Sequence, residues 1–138
     1  MDGNLLVEVR QRAGECCEYC HMPQAVHVRT FPIDHIISRQ HGGLSTTDNL
    51  ALSCLRCNSH KGPNLAGIDP DSGQLTRLFH PRQDRWDEHF RWNGPYLIGK
   101  TDIGRTTIEV CTMNNPDYVA LRESLIAEGA FPPTLSND

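Results

Sequence analysis

Cys17 and Cys20 make one Cys-x-x-Cys turn, and Cys54 and Cys57 make a second. Each such knuckle presents two thiolates from a tight turn, and two knuckles supply the four sulfurs of a tetrahedral zinc site with Zn–S bonds of about 2.3 Å. Between the knuckles lie Asp34 and His35 within the run Ile33-Asp34-His35-Ile36, then Gly42-Gly43, then Asn49 at the head of Asn-Leu-Ala-Leu. Asn58 follows the second knuckle in Asn58-Ser59-His60-Lys61-Gly62. Carboxylate and carboxamide oxygens suit a hard divalent cation such as Mg²⁺. An imidazole, with an ordinary pKa of about 6.5, takes a proton from water near neutral pH. The pattern therefore reads as a structural zinc staple beside a second, hydrolytic ion.

Each of these residues has a plainer reading. Four cysteines alone describe a structural zinc module more readily than an enzyme; the Asp-His pair and the two asparagines shift the balance towards catalysis. Asn49 could simply open a strand and Asn58 could simply cap the short helix. Cys16 is rejected as a ligand because Cys16 to Cys20 has one residue too many for a knuckle, and Cys111 falls in an apolar helical pattern as a small core residue. His41, beside the glycine pair, and His60, near Asn58, are within reach of phosphate and metal respectively, but solvated surface histidines are the simpler expectation. Lys61 is expected to meet a phosphate backbone. Trp86 and Trp92 are expected to fill a core rather than stack on bases.

The elements that would position these groups follow from local patterns. Leu5 to Ala13 reads as a short helix with Asn4 as cap and Gly14 as stop. The alternation of Val26 to Phe31, interrupted by Pro32 and resumed at Ile33, predicts one broken strand ending near His35. Ser38 to Asp48 is a loop, Asn49 to Ser53 a second strand, and Leu55 to Gly62 a brief helix, which together make a ββα unit. Asp69 to Gly73 is a turn signal before the alternating Gln74 to Phe79. Asn93-Gly94 predicts a hairpin turn after His89 to Trp92. Helices are expected from Thr101 to Met113 and from Pro116 to Glu128, the second with Asn115 as cap and Gly129 as stop. The expected fold class is α+β. A small core at residues 14–63 is stapled by the four-cysteine zinc site, and residues 64–138 add β-hairpins and C-terminal helices within one domain, 1–138.

A segment of some 50 residues buries too little surface to be stable alone, so a metal staple fits the size of the core. No apolar run approaches the roughly 20 residues of a membrane span, and the start Met1-Asp2-Gly3-Asn4 does not resemble a signal peptide. These features lead to the expectation of a cytoplasmic protein with no membrane partner, whose cysteines are metal ligands rather than disulfides. The net charge of −4 and pI near 5.9 argue against binding nucleic acid by bulk electrostatics. The acid is concentrated at the end, however, where residues 111–138 hold one basic residue against four acidic ones. A local basic surface from Arg29, Arg39, Arg56, Lys61, Arg77, Arg82 and Arg85 is compatible with the total.

Across Glu15 to Gly62, the connected pattern Cys-Glu-Tyr-Cys, Ile-Asp-His-Ile, Gly-Gly, Asp-Asn-Leu-Ala-Leu and Cys-x-x-Cys-Asn-x-x-Lys-Gly resembles the HNH endonucleases of the zinc-stapled ββα-metal type. Leu78-Phe79-His80-Pro81-Arg82 with Asp84-Arg85-Trp86 and Phe90, and later Ile98-Gly99 with Ile103-Gly104-Arg105, also resemble the C-terminal part of small stand-alone members. The resemblance places the three name-giving positions at His35, Asn49 and Asn58, an H-N-N variant. It implies hydrolysis of DNA phosphodiesters with 5′-phosphate and 3′-hydroxyl products. His35 would be the general base, Asp34 and Asn58 the ligands of one Mg²⁺, Mn²⁺ or Ni²⁺, and Asn49 a structural pin across the loop. Cys17, Cys20, Cys54 and Cys57 would hold structural Zn²⁺, while Arg39, His41, Arg56 and Lys61 would face nucleic acid. One site cuts one strand, so a double-strand break would need a homodimer, a partner protein or two encounters. The alternative from another class is a catalytically silent, zinc-stabilised nucleic-acid- or protein-binding module.

Overall fold

The computed structural model describes residues 1–135 as a mixture of helices and three two-stranded antiparallel sheets. The chain opens with α1, Gly3–Arg12. Its cap is Asp2 rather than Asn4: the Asp2 carboxylate accepts the Asn4 N–H at 2.9 Å. Basic residues in the last turn do more than complement the helix end. Arg10 donates to the Phe31 carbonyl at 2.6 Å, and Arg12 donates to the Thr47 and Leu50 carbonyls at 2.9 and 2.7 Å. Two guanidinium groups thus bind backbone oxygens that no strand partner would satisfy.

Strand β1, Ile33–His35, pairs with β2, Leu50–Leu52, in the register Ile33 with Leu52, Asp34 with Ala51 and His35 with Leu50. Helix α2, Leu55–Lys61, follows and completes the ββα unit. The broken strand expected from Val26 is not formed upstream of Ile33. A 3₁₀ turn occupies Gln24–Val26, and the Gln24 side chain accepts the Phe31 N–H at 2.6 Å and donates to the Arg29 carbonyl at 3.0 Å. One glutamine therefore replaces the ladder partner, leaving Val28 fully exposed while Phe31 is buried. Three-residue strands have little stability of their own. These are held by complete burial of Leu50, Ala51 and Leu52, with the buried Val9 of α1 in the same core.

Beyond the core, β3 (Ala66–Ile68) and β4 (Leu75–Arg77) form one hairpin, α3 (Trp86–His89) is a single turn, and β5 (Phe90–Asn93) with β6 (Tyr96–Gly99) forms another. The turn of the second hairpin is Gly94-Pro95, not Asn93-Gly94, because Asn93 is the last paired residue, opposite Tyr96. Gly94 has φ of +58°, the left-handed value that a tight two-residue turn favours in glycine, and Pro95 supplies the fixed φ after it. Helices α4 (Asp102–Cys111) and α5 (Pro116–Ala127) follow, α5 with the expected Asn115 cap and α4 ending two residues short of the expected Met113, where Thr112 turns to φ of +50°. Thr101 accepts from Gly104 N–H, and Asn115 accepts from Tyr118 N–H. Helix α4 lies against both α2 and β6. No helix among the described residues is long and apolar enough to cross a membrane.

Candidate functional site

The four knuckle cysteines meet. Cys17, Cys20, Cys54 and Cys57 are all buried, and their sulfurs lie within 4.8 Å of one another. Cys16 is outside this cluster, as its spacing requires. A tetrahedron of Zn–S bonds about 2.3 Å long has edges of about 3.8 Å, and the Cys20 and Cys54 sulfurs are 3.7 Å apart. The knuckle turns point backbone N–H groups at sulfur, Cys20 N to Cys17 Sγ at 3.5 Å and Cys57 N to Cys54 Sγ at 3.4 Å. Hydrogen bonds from Cys17, Cys20 and Cys57 hold Cys54 far below the ordinary thiol range. The donor set thus fits zinc. The extension completes its surroundings: the buried Cys111 thiol of α4 contacts Cys57, and the Tyr118 hydroxyl of α5 contacts Cys54.

Immediately beside the knuckles, β1 separates its two polar residues by alternation. Asp34 turns inward and is 5 % exposed, whereas the His35 ring is half-buried. His35 Nε2 lies 2.8 Å from Ser45 Oγ, and the same oxygen accepts from the Arg39 guanidinium at 3.0 Å. Burial, with Arg39 next, holds His35 below its ordinary value, and nearby Lys61 acts in the same direction against the opposing pull of Asp34. The ring's second nitrogen, Nδ1, has no hydrogen-bond partner among the described residues.

Asn49 stands at the foot of β2 and spans the loop. Its amide donates to the Ile37 and Leu44 carbonyls at 2.9 Å, and its oxygen accepts the Ile37 N–H at 2.9 Å. The backbone adds Ile36 N–H to the Asn49 carbonyl. Gly43 lies so close beneath this cross-link that a Cβ there would fall 1.6 Å from the Ile37 carbonyl oxygen, which only glycine allows.

Asp34 has company that was not expected. Tyr19, from inside the first knuckle, donates its hydroxyl to Asp34 Oδ2 at 2.6 Å. Lys61 Nζ lies 3.1 Å from Oδ2 and 3.4 Å from Oδ1, and also reaches the His35 and Ile36 carbonyls at 3.3 and 3.0 Å. Lys61 is 2 % exposed, which corrects its assignment to a phosphate backbone: the ammonium faces inward. Burial pushes the Asp34 carboxyl up, opposed by Lys61 and Tyr19. Asn58, one turn before Lys61 on α2, is half-buried, and its carboxamide has no hydrogen-bond partner among the described residues. The Lys61 ammonium thus lies against both Asp34 oxygens, where its positive charge opposes the approach of a divalent ion.

Of the other cations expected to face nucleic acid, Arg39 and His41 are exposed beside His35's loop. Arg56 lies over the Tyr118 ring, 5.9 Å from its centre. Arg77 binds Asp84 through two hydrogen bonds, and Arg82 pairs with Glu18, whose other oxygen accepts the Leu52 N–H at 2.8 Å. The Phe79-to-Trp86 segment is therefore a strap over the first knuckle, where Trp86 stacks on His21 at 4.0 Å and donates to the Tyr19 carbonyl at 2.8 Å. Ser45 and Tyr19 had escaped sequence reasoning. A serine in a polar loop carries no signal, whereas an aromatic residue enclosed by two metal-ligand cysteines is a weak one.

Residues 17–64 match the family model described as HNH endonuclease, a span that begins at the first knuckle cysteine and ends just after Lys61. No curated protein and no solved structure matches the chain.

Proposed function

We propose that the HNH domain of this chain is a metal-dependent endonuclease that hydrolyses DNA phosphodiester bonds, one strand per active site. The observation that carries this reading is the state of His35: half-buried at the end of β1, tied through Nε2 to Ser45, and leaving Nδ1 without a partner among the described residues. HNH domains are in general those of nucleases, and the match spans every residue used here. His35 takes a proton from the attacking water at Nδ1, so its unprotonated form is the active one, and a lowered pKa keeps that form populated. Asn49 holds the backbone on which His35 rides. Asn58 and Asp34 are the oxygen donors proposed for Mg²⁺, Mn²⁺ or Ni²⁺, with Asp34 available only after Lys61 releases it. Arg39 and His41 are the exposed groups proposed to meet phosphate.

Supercoiled plasmid tests this reading: nicked circles are expected to accumulate before linear DNA. Linear product with no nicked intermediate would instead mean two sites acting together, in a homodimer or with a partner protein. The net charge of −4, the burial of Lys61 and Arg82 against carboxylates, and the pairing of the exposed Arg77 with Asp84 favour a second reading as a silent binding module. Such a module would keep its affinity for DNA or protein when Asp34, His35 and Asn58 are all replaced by Ala.

A further inference from the structure

We infer that Lys61 is a built-in competitor for the catalytic cation: its ammonium holds Asp34 in the DNA-free protein, and a divalent ion binds there only by displacing it. The inference rests on the nuclease reading for the identity of the ion, but its geometry stands on Lys61 alone. Asn58 and Lys61 are three apart on α2, so they project from one helix face over successive turns. Nζ sits among carboxylate and carbonyl oxygens, the ligand type that Mg²⁺ and Mn²⁺ take. The fit to the ammonium is loose. Charge-assisted N–H···O contacts usually close to about 2.7–2.9 Å, yet none of the four here is shorter than 3.0 Å. Lys61 also borders a mostly apolar cavity of about 190 Å³ whose wall includes the polar residues Asn64, His80 and Gln83 and the cation Arg77. The Asn58 carboxamide, one turn before Lys61, has no hydrogen-bond partner among the described residues.

The energetic consequence follows from populations. If the conformer with Asp34 free is a minor one, the apparent metal affinity falls by its fractional population. Removing the ammonium should then tighten metal binding. The test is Mn²⁺ titration of zinc-replete, DNA-free protein, followed by the electron paramagnetic resonance of free Mn²⁺. Lys61→Met is expected to bind Mn²⁺ roughly tenfold or more tightly than the wild type, and Lys61→Met with Asp34→Asn is expected to lose that gain. Equal affinity in Lys61→Met and wild type would overturn the inference.

Because a buried Lys61→Met chain could fail to fold, a second measurement uses the wild type alone. The Lys61 Nζ resonance, slow to exchange while the ammonium is buried, should disappear on adding Mg²⁺; its persistence at saturating Mg²⁺ overturns the competition. Plasmid nicking run in parallel separates the two ideas. Nicking with an unmoved Lys61 signal sinks the competition and spares the nuclease, whereas a displaced Lys61 with no nicking on any DNA form does the reverse.

Discussion

The core around the four-cysteine cluster and the extension that follows it are held by different physics. In the core the strands are three residues long, and order comes from the four sulfurs, from Asn49 across the loop and from arginines on stray carbonyls. In the extension it comes from capped helices and an aromatic cluster in which Trp86 packs on Phe90 at 5.0 Å and Phe79 on Phe90 at 5.3 Å. The two are not independent. Arg82, Trp86 and Tyr118 all reach back to the knuckles. The candidate site thus lies where the strands are shortest, and side chains of the extension brace the knuckles beside it.

Zinc removal should break this comparison most sharply. Structural zinc is worth about 10–16 kcal/mol in small zinc-binding peptides, as much as the whole stability of an ordinary domain. Chelation is expected to strip amide protection from residues 17–57 before α4 loses any, as read by hydrogen exchange. Simultaneous loss throughout would show that the two regions share one cooperative unit.

Trp86→Ala should come next. It removes the strap's largest side chain, its stack on His21 and its bond to the Tyr19 carbonyl, at a cost of roughly 3–5 kcal/mol. Because the strap covers the first knuckle, faster zinc release to a chelator should accompany the loss of stability; unchanged release would confine Trp86 to the extension.

Asn49→Ala leaves two carbonyls and an N–H without their partner, an expected loss of roughly 2–4 kcal/mol in denaturant unfolding. Nicking should fall with zinc content unchanged, because the residue acts on the His35 loop and not on the sulfurs. A stability change under about 0.5 kcal/mol, the level of an ordinary surface substitution, would contradict the pin.

The smallest effect is a pH slope. Burial pushes His21 down to about 3, so the native state refuses a proton that the unfolded chain takes up near 6.5. Below about pH 6.5 the unfolded state binds more protons, and stability falls as pH falls, by at most about 1.4 kcal/mol per pH unit for one site. His21→Phe should flatten the slope by that one proton between about pH 6.5 and 5. Comparing the variant with the wild type cancels the share of the thiolates; identical slopes would mean that His21 titrates normally.

Legibility in the sequence followed the same division. Knuckles, helix caps and the strand–loop–strand–helix order are local signals, and the elements at Leu50, Leu55, Thr101 and Asn115 lie where those signals put them. Val26 to Phe31 misled because alternation is also what a loop shows when a single side chain, Gln24, takes over its backbone bonds. Lys61 misled for a similar reason. A lysine is ordinarily solvated, and nothing local reveals that Asp34, 27 residues earlier, awaits it inside. Ser45 became visible only when folding closed the loop onto His35.

The most direct test of the central claim is strand cleavage by zinc-replete His35→Ala beside zinc-replete wild type, on supercoiled DNA at low salt with Mg²⁺ or Mn²⁺. The expected result is metal-dependent nicking by the wild type and a fall of about 10²–10⁴-fold in the variant, the usual contribution of a general base, with the two proteins unfolding at the same denaturant concentration. Equal nicking by both would remove His35 from the chemistry, and no cleavage by the wild type with either ion would leave a zinc-held binding module in place of an enzyme.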